Sequence, residues 1–294
     1  MIDPRSFRFI SCSLVLALIG AVTACGPADQ LYVGPDPPLP GPVRLYVFEC
    51  GMISGLAPSL FGFESGELAA EDSAVPCYLI DHPDGNLMWE VGTIPDADFG
   101  PEGGPVIEGV STAERTLASQ MADVGFEPAD VTHLAMSHYH SDHTANANLF
   151  ADAVWLTQRI EREAMFSDEP PGIVNPDHFD QLYTARTVYL TDSDYDVFDD
   201  GRVVIKSAPG HTPGHIVLFL DLDETGPVLL SGDLYHYPEE RGVDRFPTFE
   251  ADVEQARVSR AAIEAFLEES GSQLWIEHDV TNHSSLRKAP EFYQ

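Results

Sequence analysis

Short apolar runs, each closing on a polar or glycine-containing segment, recur along residues 43–294 and predict a mixed α/β domain. Candidate strands fall at 43–49, 77–82, 86–91, 131–136, 153–157, 203–208, 216–222, 228–232 and 273–277, lengths suited to strands rather than helices. Two stretches carry helical spacing instead. Ser111-Thr112-Ala113-Glu114 has capping-box spacing ahead of Leu117, Met121 and Val124, with Gly125 as a stop, so the pattern predicts a helix over 112–124. Val253, Ala256, Ile263, Phe266 and Leu267 make an inward stripe over 251–269, and Gly271 stands just past its end.

The N-terminus is patterned differently. Arg5 and Arg8 precede the apolar run Leu14-Val15-Leu16-Ala17-Leu18-Ile19, which reads as a signal peptide over 1–24, too short for an ordinary transmembrane helix. Val22-Thr23-Ala24-Cys25 resembles a bacterial lipoprotein box, which implies cleavage before Cys25 and lipid on its sulfur. The alternative is a plain secretory signal cut near Ala24. Residues 25–42 hold six prolines and read as a Pro-rich tether; at about 3.1 Å per residue it reaches roughly 50 Å. The expectation is an exported protein, lipid-anchored at the cell envelope through Cys25.

What remains, 43–294, suffices for one domain with a sizeable core. With Cys12 in the signal and Cys25 lipidated, Cys50 and Cys77 are the two cysteines able to pair. Both flank apolar strand-like runs, and two buried thiols are expected, because a core of this size does not need a staple. The formal charge is −33 at pH 7. Such a field repels phosphate backbones, so a nucleic-acid partner is excluded in favour of a small-molecule substrate. The acidic run from Asp192 to Asp200 is expected as a solvated loop or strand edge.

Candidate chemistry concentrates in Ser137-His138-Tyr139-His140-Ser141-Asp142-His143, directly after the 131–136 run. Imidazoles and a carboxylate at this density are a metal-site composition, and extended alternation turns His138 and His140 the same way while Asp142 and His143 reach a neighbouring position. Three later runs each end on a further candidate ligand: 203–208 leads to His211, 228–232 to Asp233, and 273–277 to His278.

With H-x-H-x-D-H followed by His, Asp and His in this order, the chain resembles the metallo-β-lactamase fold superfamily. Arg44-Leu45-Tyr46-Val47-Phe48-Glu49-Cys50-Gly51, the segment Gly210-His211-Thr212-Pro213-Gly214-His215 and Ser231-Gly232-Asp233-Leu234-Tyr235-His236 resemble its N-acyl homoserine lactone lactonase group. The resemblance implies a four-layer αβ/βα sandwich with two Zn2+ per chain, His138, His140 and His211 on one, Asp142, His143 and His278 on the other, and Asp233 bridging. It implies hydrolysis of a lactone ring by a metal-bridging hydroxide, with Asp142 relaying a proton to the departing alkoxide. Zinc takes imidazole nitrogen and carboxylate oxygen, and two close dications need a negative bridge, so donor chemistry agrees.

Two positions depart from the lactonase pattern. His236 stands three residues after Asp233, where similar lactonases often carry a tyrosine that contacts the substrate carbonyl; Tyr235 and Tyr237 flank it, so any of the three is a candidate donor. Glu90 occupies a place where the superfamily usually has aspartate, and is expected to support a ligand. His215 is open between supporting and packing roles, whereas His82, His133, His178 and His283 read as ordinary structural histidines. The apolar, Gly- and Pro-containing stretch 52–63 is a loop that either receives an acyl chain or packs. Against the lactonase reading stand another dizinc esterase, phosphotriesterase or thioesterase of the same fold, and a non-catalytic zinc-binding lipoprotein.

Overall fold

The computed structural model describes residues 41–100 and 103–294. The expectations on 1–24 and Cys25, and nearly all of the tether, fall outside the described residues. Fourteen strands are present among the described residues: β1 Arg44–Ile53, β2 Ser73–His82, β3 Gly85–Trp89, β4 Val106–Glu108, β5 Ser111–Ala113, β6 His133–Ala135, β7 Val154–Gln158, β8 Thr187–Leu190, β9 Tyr195–Asp196, β10 Val203–Ser207, β11 Ile216–Leu222, β12 Gly226–Leu230, β13 Gln273–Trp275 and β14 Phe292–Tyr293. They form two sheets. One has the order β4-β5-β1-β2-β3-β6-β7-β8 with β14 beside β1, and the other β13-β12-β11-β10-β9.

Period-two alternation explains how the sheets stack. Leu45, Val47, Tyr78, Ile80, Leu87 and Trp89 of the first sheet share one buried cluster with Val203, Ile205, Leu218, Leu220, Val228 and Leu230 of the second. Their neighbours in sequence point the other way. Tyr46, Phe48, Leu79 and Met88 pack with Leu117 and Met121 of helix α1 (Leu117–Asp123), while Val217 and Leu229 pack with Ile263 and Leu267. Strands buried on both faces thus produce helix, sheet, sheet, helix, the αβ/βα sandwich expected. Each fully buried aliphatic or aromatic side chain contributes roughly 1.5–3 kcal/mol to this core.

All nine anticipated apolar runs contain a strand, and the helix anticipated over 251–269 runs Val253–Ser270 with Asp252 accepting from Gln255 N and Gly271 left-handed at φ +68°. The 112–124 helix is shorter than expected. Ser111–Ala113 pairs with Met52 and Ile53 of β1 as a strand, and the helix starts instead at Thr116, whose side chain accepts from Ser119 N. A long-range ladder outcompetes the local cap. The acidic run does form an edge, since Tyr195–Asp196 is the last strand of the second sheet.

The thiol expectation is corrected: Cys50 and Cys77 are joined as a disulfide. β1 and β2 are adjacent and antiparallel with Phe48 opposite Cys77, and a bulge between Glu49 and Met52 brings Cys50 across, at a Cα–Cα distance of 5.7 Å. Need does not decide pairing; proximity on one buried face does.

Candidate metal centre

Strand direction brings the ligands to one rim. β10 and β12 both run antiparallel to β11, and β13 parallel to β12, so the three strands that precede His211, Asp233 and His278 point the same way. From the first sheet, β6 delivers His138 and His140, and the short helix α2 (Ser141–Thr144) carries Asp142 and His143. The structure brings all seven sequence-derived residues together, with His138, His140, His211 and Asp233 in one group and Asp142, His143 and His278 in a second.

Asp233 faces both groups. Its Oδ2 lies 3.3 Å from His211 Nε2 and 3.7 Å from His138 Nε2, and its Oδ1 lies 3.3 Å from His143 Nε2 and 3.1 Å from His278 Nε2. Asp142 Oδ2 stands 3.7 Å and 3.6 Å from the nitrogens of His143 and His278. Buried His138 Nε2, His143 Nε2 and Asp233 Oδ1 have no hydrogen-bond partner. Buried polar atoms are rarely orphaned, and these all face their neighbours' lone pairs. Cations held between them would satisfy every one, so the donor set fits zinc.

Three of the rings have a partner on their far side. His278 Nδ1 donates to Ala74 O at 2.8 Å, His211 Nδ1 lies 3.0 Å from Glu250 Oε2, and His143 Nδ1 lies 3.1 Å from Glu90 Oε2. At His278 and His211, donating Nδ1–H outward leaves Nε2 free as a ligand. Glu90 therefore takes the supporting role expected of it, and its other oxygen accepts from Ser137 N at 3.1 Å. Its backbone is held left-handed at φ +60°, a conformation costly for a side chain with a Cβ. His215 supports as well: its Nε2 accepts from Asp233 N at 3.0 Å while its Nδ1 donates to Ala208 O.

Burial lowers His138 and His140 well below the usual imidazole range and His211 to about 3, so these rings are neutral and free to ligate. At His143 burial pulls the same way, but the carboxylates of Asp233, Glu90 and Asp142 overcome it and hold the ring well above its usual range. Burial likewise works against the charge on Asp233, yet the surrounding histidines, His278 foremost, keep it well below the carboxylate range. The cluster favours positive charge at its centre.

A cavity of about 370 Å³ opens above this floor. Asp142, Asp233, His236 and His278 lie at its base, and Ile53, Leu56, Leu60, Phe61, Val110, Ile173 and Phe249 form its walls. The 52–63 stretch accordingly both lines the cavity and packs, with Phe61 buried against the His236 ring at 5.0 Å. Of the three carbonyl-donor candidates, His236 alone lines the cavity. Its Nε2 lies 3.1 Å from Asp233 Oδ2 and its Nδ1 3.5 Å from Glu240 Oε1. Tyr235 donates instead to Glu264 at 3.1 Å, and the Tyr237 hydroxyl is occupied by Ser73 and Glu71 O. His82, His133, His178 and His283 stand outside both ligand groups.

Sequence reasoning missed Glu161, Glu240 and Glu250, all near the centre. Forty-eight acidic residues conceal three supporting ones, and no spacing marks them.

The metallo-beta-lactamase superfamily model matches residues 70–269. The chain is 28% identical over 261 residues to the N-acyl homoserine lactonase AttM of Azorhizobium caulinodans, covering 85% of this chain and 98% of that protein. It is likewise 28% identical over 224 residues to the N-acyl homoserine lactonase AiiA of Bacillus thuringiensis subsp. kurstaki, covering 74% and 85%. A crystal structure of a B. thuringiensis AiiA variant with N-decanoyl-L-homoserine bound superposes with a TM-score of 0.69 at 26% identity, over 85% of this chain and 98% of that one. The dizinc quorum-quenching lactonase AidC shares the fold, with a TM-score of 0.63 at 18% identity over 87% and 95%. With its sandwich, its strand-end ligands and a family match spanning most of the chain, this protein belongs to the metallo-beta-lactamase superfamily.

Proposed function

We propose that the protein is a dizinc hydrolase that opens a lactone ring, with N-acyl homoserine lactones as its substrates. The observation that carries this reading is Asp233, whose two oxygens face separate histidine groups at the base of an apolar-walled cavity. Relatives named as N-acyl homoserine lactonases, and a related structure holding N-decanoyl-L-homoserine, support the substrate class. His138, His140, His211 and Asp233 would hold one zinc ion, and Asp142, His143, His278 and Asp233 the other. When bound, zinc polarises a carbonyl and lowers the pKa of water from 15.7 to about 7.

The chain's own residues supply the rest. His236 presents its ring at the cavity floor, where a donated hydrogen bond stabilises charge developing on the carbonyl oxygen. Asp142 lines the same floor and keeps 17% of its side chain exposed, a position from which a carboxyl passes a proton to the ring alkoxide. Leu56, Leu60 and Phe249 provide an apolar wall for an acyl chain. The proposal also places the enzyme at the cell envelope, held by lipid on Cys25; the support is the Val22-Thr23-Ala24-Cys25 motif and the Pro-rich segment after it.

A panel of acyl homoserine lactones, aryl esters, thioesters and a phosphotriester, assayed on zinc-loaded protein, tests the reaction. The lactones are expected to give the highest kcat/KM. A zinc-loaded protein that turns over none of them is a binding protein, and a preference for another ester class replaces the substrate assignment.

A further inference from the structure

We infer that Glu161 is a positioning residue that sets the spacing of His138, His140 and His211, and so governs one of the two metal positions; this rests on the dinuclear reading above. Glu161 lies in the first turn of helix α3 (Arg159–Met165) and is only 2% exposed. Its carboxylate accepts from Tyr139 N at 2.9 Å, from Thr212 Oγ1 at 2.9 and 3.0 Å, and from Gly214 N at 2.8 Å. Tyr139 separates His138 from His140, and Thr212 directly follows His211. One carboxylate therefore fastens together two ligand-bearing loops that are distant in sequence. The result is visible at the metal face, where His140 Nδ1 and His211 Nε2 approach to 3.1 Å.

Three features separate this role from general packing. No basic side chain among the described residues forms an ion pair with Glu161, and burial pushes its carboxyl up to about 7, so hydrophobic filling would be a cheaper use of the position. The backbone makes room for it, since a Cβ on Gly214 would stand 2.7 Å from Glu161 Cβ and 2.9 Å from its Oε2. His143 and His278 of the other metal group have supports that Glu161 does not touch, Glu90 beside His143 and Ala74 O on His278. Glu161 does not line the cavity, so it acts through the histidines rather than on substrate.

The test is titration of metal-free protein with Co2+, followed by visible absorption, with zinc content measured in parallel. Glu161→Gln keeps the volume but turns an amide N–H toward groups that themselves donate. One binding step is expected to weaken by roughly 10- to 100-fold while the other stays unchanged, as for residues that orient metal ligands. His278→Ala identifies the other step by weakening it. Thr212→Val, which removes one donor and little volume, is expected to act in the same sense as Glu161→Gln but less, and it decides the matter if Glu161→Gln fails to fold. Two unchanged steps, or two steps weakened alike, overturn the assignment. Should the native protein take up a single ion, the dinuclear reading fails; Glu161 keeps its role only if Glu161→Gln still weakens that ion.

Discussion

Asp233 and His236 sit three residues apart in sequence and face the same space, yet their removal has different consequences. Asp233→Ala deletes the carboxylate whose two oxygens face both histidine sets, and with it the negative charge held between them. Metal and activity are expected to fall together, read by elemental analysis and turnover on the same sample; a variant that keeps both ions refutes the bridge. His236→Phe keeps the ring volume at the cavity floor and removes its donor. It is expected to retain metal and lose turnover by on the order of 10²- to 10³-fold, with zinc on the same oxygen reducing the loss. His236→Tyr is expected to recover part of it. Because the hydroxyls of Tyr235 and Tyr237 are already occupied away from the cavity floor, Tyr235→Phe and Tyr237→Phe should be nearly silent. A large defect in either, with His236→Phe active, reverses the assignment.

At the level of elements, the positions of the candidate metal ligands could be read because each follows a strand whose apolar run is unambiguous, and a motif with four candidate ligands in six residues has little competing explanation. What could not be read depends on contacts between distant segments. Ser111–Ala113 carries a good local cap signal but is claimed by β1, and Cys50 meets Cys77 only because of a bulge. Glu161 and Glu250, unlike Glu90, are likewise invisible until the loops fold over them. The turn after β12 shows how tightly this layer is built. Gly232 has φ +46°, and a Cβ there would stand 2.5 Å from Ser137 Cβ and 2.8 Å from His215 Nε2, the nitrogen that accepts from Asp233 N. Gly232→Ala is therefore expected to displace Asp233, with a stability loss of roughly 1–3 kcal/mol from overpacking and reduced zinc content. Calorimetry and metal analysis check it; native metal content would mean the loop tolerates the shift and the turn is not what fixes the bridge.

On the scale of the whole molecule, charge determines how the protein can be held at a membrane. Among the described residues no helix is long and apolar enough to cross one. The side-chain charge of −33 becomes −34 once Asp3, Arg5 and Arg8 leave with a signal peptide, since that segment contributes +1. Anionic lipid surfaces repel such a protein, so the folded domain supplies no electrostatic adhesion. A single fatty chain gives only marginal, reversible binding, whereas two give stable anchoring, so a diacylated Cys25, as proposed, would be sufficient. The prediction is correspondingly sharp: Cys25→Ser should move the protein from the membrane to the soluble fraction almost completely, with kcat and KM of the purified enzyme unchanged. Fractionation at low and high salt distinguishes the possibilities, because release of native protein by salt alone would reveal adhesion through the surface. If the Cys25→Ser protein is exported and processed yet still sediments with membranes, the lipid anchor is wrong and another part of the chain must hold it there.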